Sequence, residues 1–266
     1  MSLRPFVHHY WIMKTCKTNM SQLIMPTGFP RWIFHRKTPL EVNGTTDAGL
    51  QASVVGLYEK AIHVSALEDV EMITVFFYPY AIPMIMGIPG CEFTHCNVDF
   101  DSLENPAYKQ LKSRVLEAET SEACIDIIEN FILGQIVRTQ DSPYFKPLAK
   151  AFQLLATNLG AHIDELASAA CLSERQFRRV FSSYVGLSPK QFQCIQRFHL
   201  STKEILQTNC ENLNEALYMY GYTDRSHFNH EFHKIAGISP TKYLSLLEKI
   251  RKEDMIKAYR SYHTTE

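Results

Sequence analysis

The last third of the chain carries one kind of segment twice, and this repeat constrains the fold more than any other feature of the sequence. Residues 163–192 and 212–243 each begin with an apolar helix pattern, followed by a turn of three or four residues. A polar cap, Ser173 or Asp224, then opens a second helix with aromatic residues on one face. Each segment closes on Gly-Leu-Ser-Pro or Gly-Ile-Ser-Pro. This order predicts two helix-turn-helix units, in which the second helix is shaped to enter a DNA major groove.

The second segment resembles the signature of the AraC/XylS-type transcription regulators. The matching residues are Gly221 to Phe228, Phe232, Gly237 to Pro240 and Tyr243, in the order and spacing of that signature. The resemblance covers about residues 145–247. It implies two DNA-reading helices about one DNA turn apart, roughly 34 Å, held by a rigid helix over residues 190–207. It also implies double-stranded DNA and RNA polymerase as partners, in a bacterial regulator that most often activates transcription.

Length and charge indicate two domains with different tasks. A chain of 266 residues suits about two domains. The overall charge of −1 conceals an asymmetry, because residues 1–144 carry 11 basic against 16 acidic side chains and residues 145–250 carry 12 against 9. A mildly basic second half fits DNA binding, and the acidic first half then has another role.

The expected location is the cytoplasm. The N-terminus lacks the long apolar region of a secretory signal, and three prolines interrupt the longest apolar stretch, residues 72–90. We interpret that stretch as a buried strand, a turn and a short helix rather than a membrane span. The seven cysteines form no CxxC pair, which favours free thiols in a reducing compartment.

The first half is predicted to be β-rich, so the fold class is α+β with an all-α C-terminal domain. Candidate strands are residues 20–25, 31–36, 51–58, 61–66 and 71–78, and candidate helices are 102–117 and 121–138. Pieces such as His9-Tyr10-Trp11 and Val75 to Pro79 resemble a sensor domain found before this DNA-binding module, which implies a cupin-like β-sandwich or barrel followed by helices. The predicted domains are 1–138 for sensing or dimerisation, a linker at 139–144, and 145–266 for DNA binding, with a charged helix at 240–260.

The outward faces of the two second helices supply the candidate DNA-reading residues. In the first unit they are Arg175, Arg178 and Arg179, and Arg179 or its neighbour Arg178 is the best candidate to fork onto guanine. In the second unit they are Arg225, Ser226, Asn229 and His230; Asn229 can pair with adenine. The family usually has Arg and Lys where this chain has His230 and His233, so we expect the second unit to bind more weakly. Candidate phosphate contacts are Lys190, Arg197, Thr223 and Lys242.

Small-molecule control is expected from the first domain. Its aromatic residues could line a ligand pocket or simply form a core; they are Trp11, Trp32, Phe34, Tyr58, Phe76, Phe77, Tyr78 and Tyr80. The ligand must favour one arrangement of the linker and the DNA-binding domain. The alternatives are a constitutive homodimeric DNA-binder without a ligand, and a DNA-repair alkyl-transfer protein.

No cofactor, metal or catalytic residue is predicted, and the chain is not expected to be an enzyme. Cys91, His95 and Cys96 do not have the spacing of a structural zinc site and lack a fourth ligand. The cysteine positions also do not fit the alkyl-transfer pattern. The sequence has no nucleophile elbow, P-loop or GxGxxG motif.

Overall fold

The N-terminal half is a β-sandwich of two antiparallel sheets. A computed structural model of the protein describes residues 3–15, 20–42, 50–138, 142–208 and 217–252. The larger sheet has the order β1-β7-β3-β5-β8, from β1 (Val7–Thr15), β7 (Val70–Phe77), β3 (Arg31–His35), β5 (Ala52–Val55) and β8 (Asn97–Asp99). The smaller sheet has the order β2-β6-β4, from β2 (Met20–Ile24), β6 (Ile62–Ala66) and β4 (Glu41–Val42).

Strand alternation gives the larger sheet two faces with different tasks. One face, carrying Trp32, Phe34 and Phe77, is fully buried. It packs against three helices, α1 (Ala81–Met86), α2 (Ala107–Glu117) and α3 (Ser121–Arg138). Alternate residues of the same strands, including Ile33 and Phe76, face the smaller sheet and line a cavity. The helices thus form one layer, the larger sheet a second and the smaller sheet a third.

The five predicted strands are confirmed, and the structure adds β1, β4 and β8. The segment 72–90 is a buried strand followed by a short helix, as predicted. The prediction of a helix over 102–117 is wrong at its start, because residues 100–102 form a separate 3-10 turn and α2 begins at Ala107. Pro106 precedes the first helical residue, and the Asn105 side chain accepts a hydrogen bond from the Ala107 N–H at 3.0 Å. Proline favours a helix start because it has no N–H to donate to a preceding turn.

The C-terminal half is helical, as expected. Its helices are α4 (Phe145–Thr157), α5 (Ile163–Ala169), α6 (Glu174–Val185), α7 (Pro189–Thr208), α8 (Arg225–Ala236) and α9 (Pro240–Lys252). A helical turn at 217–219 precedes α8. The joining helix predicted at 190–207 is confirmed as α7. The helix predicted at 240–260 is present to residue 252, and its remainder lies outside the described residues, as do 139–141 of the predicted linker.

The two halves touch at the ends of both second helices. At the end of α6, the Thr94 hydroxyl donates to the Gly186 carbonyl oxygen at 3.0 Å. At the end of α8, the Ala61 N–H donates to the Ile235 carbonyl oxygen at 2.8 Å. A third contact joins the Gln196 amide of α7 to the Thr27 carbonyl oxygen at 3.1 Å. The β-sandwich therefore contacts both units of the repeat.

Candidate DNA-binding surface and ligand cavity

The turns of the two units have the same backbone hydrogen bonds. The Leu172 N–H donates to the Ala167 carbonyl oxygen at 2.9 Å, and the Tyr222 N–H donates to the Leu217 carbonyl oxygen at 3.0 Å. Each bond spans a residue in the left-handed region, Cys171 with φ 54° and Gly221 with φ 78°. Glycine adopts this conformation freely, whereas a cysteine does so at a cost in backbone strain. The sequence repeat is thus a repeat of local geometry.

The second helix of each unit is capped in the same way at both ends. The Ser173 hydroxyl accepts from the Gln176 N–H at 3.3 Å, and the Asp224 carboxylate accepts from the His227 N–H at 2.8 Å. The hydrogen bond from the His227 N–H lowers the pKa of Asp224 below its ordinary value, since it stabilises the carboxylate. Both helices end at a glycine with positive φ, Gly186 at 87° and Gly237 at 71°. These caps fix where α6 and α8 begin and end.

One face of each second helix is buried. Phe177 and Phe181 of α6 pack into the core of the first unit, and Phe228 and Phe232 of α8 into that of the second. The helix period then directs the remaining positions to solvent. A helix held in this way presents its polar side chains at fixed positions.

The predicted base-reading side chains all lie on these solvent faces. On α6, Arg175, Arg178 and Arg179 are exposed. Arg178 contacts the Glu174 carboxylate at 3.3 Å, but both side chains are about half exposed, so the pair is weak. On α8, the exposed residues are Arg225, Ser226, Asn229 and His230.

The predicted phosphate contacts divide into two groups. Lys190 and Lys242 are exposed, each in the first turn of its helix, and Thr223 is exposed just before α8. Arg197 is different, because its guanidinium pairs with the Glu231 carboxylate of α8 and lies 4.9 Å from the centre of the Tyr222 ring.

The Arg197 pair is part of a network that joins α7 to α8. The Tyr222 hydroxyl donates to the other Glu231 oxygen at 2.6 Å. Burial, followed by the Glu231 hydrogen bond, raises the pKa of Tyr222 above its ordinary value. Sequence reasoning missed Glu231, although one signal was present: it is an acidic residue beside Phe232, three positions from Phe228, on the face expected to be buried.

A cavity of about 340 Å³ lies between the inner faces of the two sheets. This size falls within the range of small-molecule sites in proteins. Of the predicted pocket aromatics, Trp11, Tyr58 and Phe76 line the cavity. Trp32, Phe34 and Phe77 belong to the core on the other face of the larger sheet, and Tyr78 and Tyr80 pack with the core of the first helical unit, so these five do not line the cavity.

The C-terminal half closes part of the same cavity. His199, Thr202 and Lys203 of α7 and Tyr243 of α9 are lining residues. A molecule in this space would therefore contact both the sandwich and the helices that carry the repeat. This shared wall could not be inferred from the sequence, since it depends on how the two halves pack.

Two histidines that line the cavity are neutral at pH 7. Burial lowers the pKa of His35 to about 4. Its Nδ1–H donates to the Leu50 carbonyl oxygen at 3.1 Å, and its Nε2 accepts from the Leu40 N–H at 3.4 Å, which assigns the tautomer. Burial, and then the positive charge of Lys203, lowers the pKa of His199 to about 4.

The described part of the chain holds neither a cluster of metal ligands nor a membrane-spanning helix. Within it, no group of three or more His, Cys, Asp or Glu side chains is arranged to hold a metal ion. His95 contacts the Glu59 carboxylate at 3.3 Å, while Cys91 and Cys96 are exposed. No helix in the described ranges has both the length and the apolar character needed to cross a bilayer.

Two known family models match the chain, one in each half. Residues 166–245 match the family model described as a helix-turn-helix domain. Residues 1–99 match a domain of unknown function, DUF6597. The first match contains α6, α7 and α8, and the second contains the β-sandwich.

Several known proteins are similar to this chain. The probable transcriptional regulator LumQ of Photobacterium leiognathi is 31% identical over 81 residues, which is 30% of this chain and about a third (32%) of LumQ. An uncharacterized HTH-type transcriptional regulator of Haemophilus influenzae is 26% identical over 218 residues, covering 76% of this chain and 71% of that protein. The crystal structure of ToxT from Vibrio cholerae O395 superimposes with a TM-score of 0.46 and 11% identity, over 92% of this chain and 98% of ToxT. Residues 166–245 of the chain are thus a helix-turn-helix domain similar to that of HTH-type transcriptional regulators.

Proposed function

We propose that the protein is a sequence-specific DNA-binding transcription regulator whose DNA binding is controlled by a small molecule held in the sandwich cavity. The observation that carries the proposal is the repeated unit, in which two capped helices present exposed polar faces. Three arginines on α6 and Arg225 with Asn229 on α8 have the chemistry that reads base edges. The similar proteins are named as transcription regulators, and a catalytic role forms no part of the proposal.

The phosphate contacts we propose are Lys190, Thr223 and Lys242, with the N–H groups at the helix starts. For Arg197, the ion pair with Glu231 favours a different role, which is to hold α8 against α7. The domain division at 1–138, 139–144 and 145–266 is retained as part of the proposal. Two separate family matches support this division, because residues 1–99 match one family model and residues 166–245 match another, on either side of 139–144.

Control by a ligand is supported by the shared wall of the cavity. A molecule that contacts Thr202 and Tyr243 as well as the sandwich would bind differently when the two halves change their arrangement. Only such a difference in affinity allows a ligand to shift an equilibrium. RNA polymerase as partner, a homodimer and a cytoplasmic location complete the proposal.

The test is to sequence the genomic fragments that the purified protein retains at near-physiological salt. A shared motif with two half-sites about one helical turn apart, roughly 34 Å, is the expected result. Retention without any shared motif, at every salt concentration and in the presence of cell extract, would contradict sequence-specific binding.

Arg179→Ala is expected to cost about 1–3 kcal/mol of binding free energy on the selected site and to relax base preference at one position. The physical reason is loss of the forked hydrogen bonds that arginine makes with guanine. Lys242→Ala is the comparison variant, since loss of a phosphate contact weakens binding to all sequences alike and reduces the salt slope by about one. Equal losses on specific and random DNA for Arg179→Ala would instead assign Arg179 to the phosphates.

A further inference from the structure

The two units of the repeat differ in the charge of their exposed second helices. Counted from the caps Ser173 and Asp224, Arg179 of α6 and His230 of α8 occupy the same position, the sixth residue of each count. A guanidinium keeps its proton at every ordinary pH, whereas an imidazole does not. At this position α6 therefore carries a permanent charge and α8 a conditional one.

His230 and His233 belong to the patch that carries the proposed base-reading residue of the second unit. They are three positions apart in α8 and both exposed, so their side chains are neighbours on the helix surface. Ser226 lies four positions before His230, and Asn229 lies four positions before His233, so the four side chains form one continuous patch. A duplex that contacts Asn229 must therefore lie against both imidazoles.

The third histidine of α8 is placed differently. His227 is only partly exposed, and its Nδ1 lies 3.3 Å from the Thr223 hydroxyl oxygen. Its ring centre lies 5.3 Å from that of Tyr222. His227 is thus held by the turn before α8 and is not part of the patch.

No carboxylate within the described ranges pairs with His230 or His233. The acidic groups on α8 and on the elements packed against it are Glu59, Glu204, Asp224 and Glu231. Each has another interaction: Asp224 caps α8, and Glu231 pairs with Arg197. Glu59 accepts a hydrogen bond from the Gln191 amide at 3.0 Å, and Glu204 lies near Tyr220. A proton on either imidazole therefore has no anionic partner in the described part of the free protein.

Positive charge surrounds the patch instead. The basic groups on and around α8 are Arg225 and Lys234 of the helix itself, Arg197 and Lys203 of α7, Lys242 of α9 and Lys60 of the loop before β6. The other titratable side chains on these elements are uncharged at pH 7; they are Tyr58, Cys194, His199, Tyr220, Tyr222 and Tyr243. Like charges oppose further protons on the two histidines, and DNA phosphates reverse this, because an anion beside an imidazole favours its charged form.

Proton uptake and DNA binding are linked for this reason. An imidazole ordinarily takes up its proton at about pH 6.5, and the imidazolium offers two N–H donors and a positive charge where the neutral ring offers one donor. Because phosphates favour the charged ring, the DNA-bound state holds more protons than the free protein, so DNA affinity rises as the pH falls. The gain in affinity is fully present below about pH 6 and is lost as the pH rises above about 7.5.

We propose that His230 and His233 are proton-dependent DNA contacts, so that the second unit reaches its full DNA affinity only when both imidazoles are protonated. The first unit keeps its arginine contacts at every ordinary pH. The inference rests on the proposed function, since it assigns a form of regulation to the same DNA-binding surface. A fall in pH then acts on the DNA-binding surface itself, independently of the cavity.

The test uses the full chain and a duplex of random sequence about four helical turns long, which requires no knowledge of the operator. DNA affinity is measured against salt concentration at about pH 5.8 and about pH 7.8. Two added phosphate contacts should make the slope of log affinity against log salt steeper by about two at the lower pH, and should raise the affinity about tenfold at near-physiological salt. Calorimetry at about pH 7, in two buffers of different ionisation enthalpy, should show uptake of about one proton per bound chain.

Three variants assign the effect to the two histidines. The double variant His230→Gln, His233→Gln should have the affinity and salt slope of the original chain at the higher pH under both conditions, because an amide gains no charge. The double variant His230→Arg, His233→Arg should bind at both pH values as the original chain does at the lower one. His63→Gln, at an exposed position of β6 in the sandwich, is the matched control and should keep the full pH dependence.

Three results would overturn the inference: DNA affinity and salt slope that do not change with pH, weaker binding at the lower pH, or a full pH dependence in the double glutamine variant. Each of these results still shows DNA binding and leaves the proposed function intact. No binding of the duplex at either pH would contradict both the inference and the proposed function. Circular dichroism at both pH values verifies that the variants are folded, as expected for substitutions at exposed positions.

Discussion

At the scale of single residues, the Arg197–Glu231 pair holds α8, the second helix of the second unit, against α7. Arg197→Met and Glu231→Gln should each lower the free energy of unfolding by about 2 kcal/mol, since either change leaves a partly buried partner unpaired. Both should also weaken specific DNA binding to a similar extent, because α8 loses its connection to α7. Urea unfolding and DNA titration of the single and double variants measure the coupling. Weaker DNA binding in Arg197→Met alone would return Arg197 to the phosphate contacts.

The turn residue of the second unit is a second test at this scale. Gly221→Ala should lower the free energy of unfolding by about 1 kcal/mol, because Gly221 has φ 78° and alanine is strained there. Nothing lies within 4 Å of the added Cβ, so crowding does not contribute. Cys171→Ala, at the equivalent turn position of the first unit, should change the stability by less than about 0.5 kcal/mol. A large loss of stability in both variants would indicate that side-chain contacts, and not the positive φ angle, cause the destabilisation.

At the scale of elements, the contact between residues 90–94 and the end of α6 couples the sandwich to the first unit. A Cβ on Gly90 would lie 1.9 Å from the Tyr184 carbonyl oxygen, which is backbone and cannot rotate away. Gly90→Ala should therefore push the two halves apart and cost about 1–3 kcal/mol of stability. Two measurements detect this separation: faster limited proteolysis between the halves, and a changed affinity for DNA.

Gly134→Ala in α3 is the matched control for Gly90. Its added Cβ meets nothing within 4 Å, and alanine favours a helix interior over glycine by about 0.5–1 kcal/mol. This variant should be slightly more stable and should bind DNA as before. If Gly90→Ala also left proteolysis and DNA binding unchanged, the contact would have no role in coupling.

The elements also show what the sequence could predict. The two units, their caps and the exposed face of α6 follow from local rules of helix periodicity and capping, so they could be predicted with their residues. β4 and β8 have two and three residues and carry too little alternation to be recognised. The inward direction of Arg197 depends on Glu231, which lies 34 positions away. The cavity depends on the packing of two sheets and two helices, which no local pattern determines.

At the scale of the whole molecule, the two histidines that line the cavity predict how stability depends on pH. His35 and His199 have pKa values lowered to about 4, against an ordinary value of 6.5. Between these values the unfolded chain binds more protons than the folded one, so stability is constant above about pH 6.5 and falls as the pH is lowered towards 4. At pH 5 each histidine should account for a loss of about 2 kcal/mol.

Urea unfolding at pH 7 and pH 5 measures this dependence. His35→Gln should show a smaller loss between the two pH values than the original chain, by about 2 kcal/mol, whatever its stability at pH 7. His233→Gln, at an exposed position, is the control and should keep the full dependence. An identical pH dependence in His35→Gln and the original chain would mean that burial does not keep His35 in its neutral form.

Because both halves of the protein line the cavity, DNA binding should change the affinity of the cavity for its ligand. Because Thr202, Lys203 and Tyr243 belong to the half that carries the repeat, a ligand that favours the arrangement adopted on DNA must itself be held more tightly once DNA is bound. Thermodynamic reciprocity makes the two factors equal: the fold-change that a saturating ligand produces in DNA affinity is the fold-change that saturating operator produces in ligand affinity. An operator duplex added to the calorimeter cell is therefore an effector of the cavity, and the sign of its effect reports whether the ligand promotes binding or release.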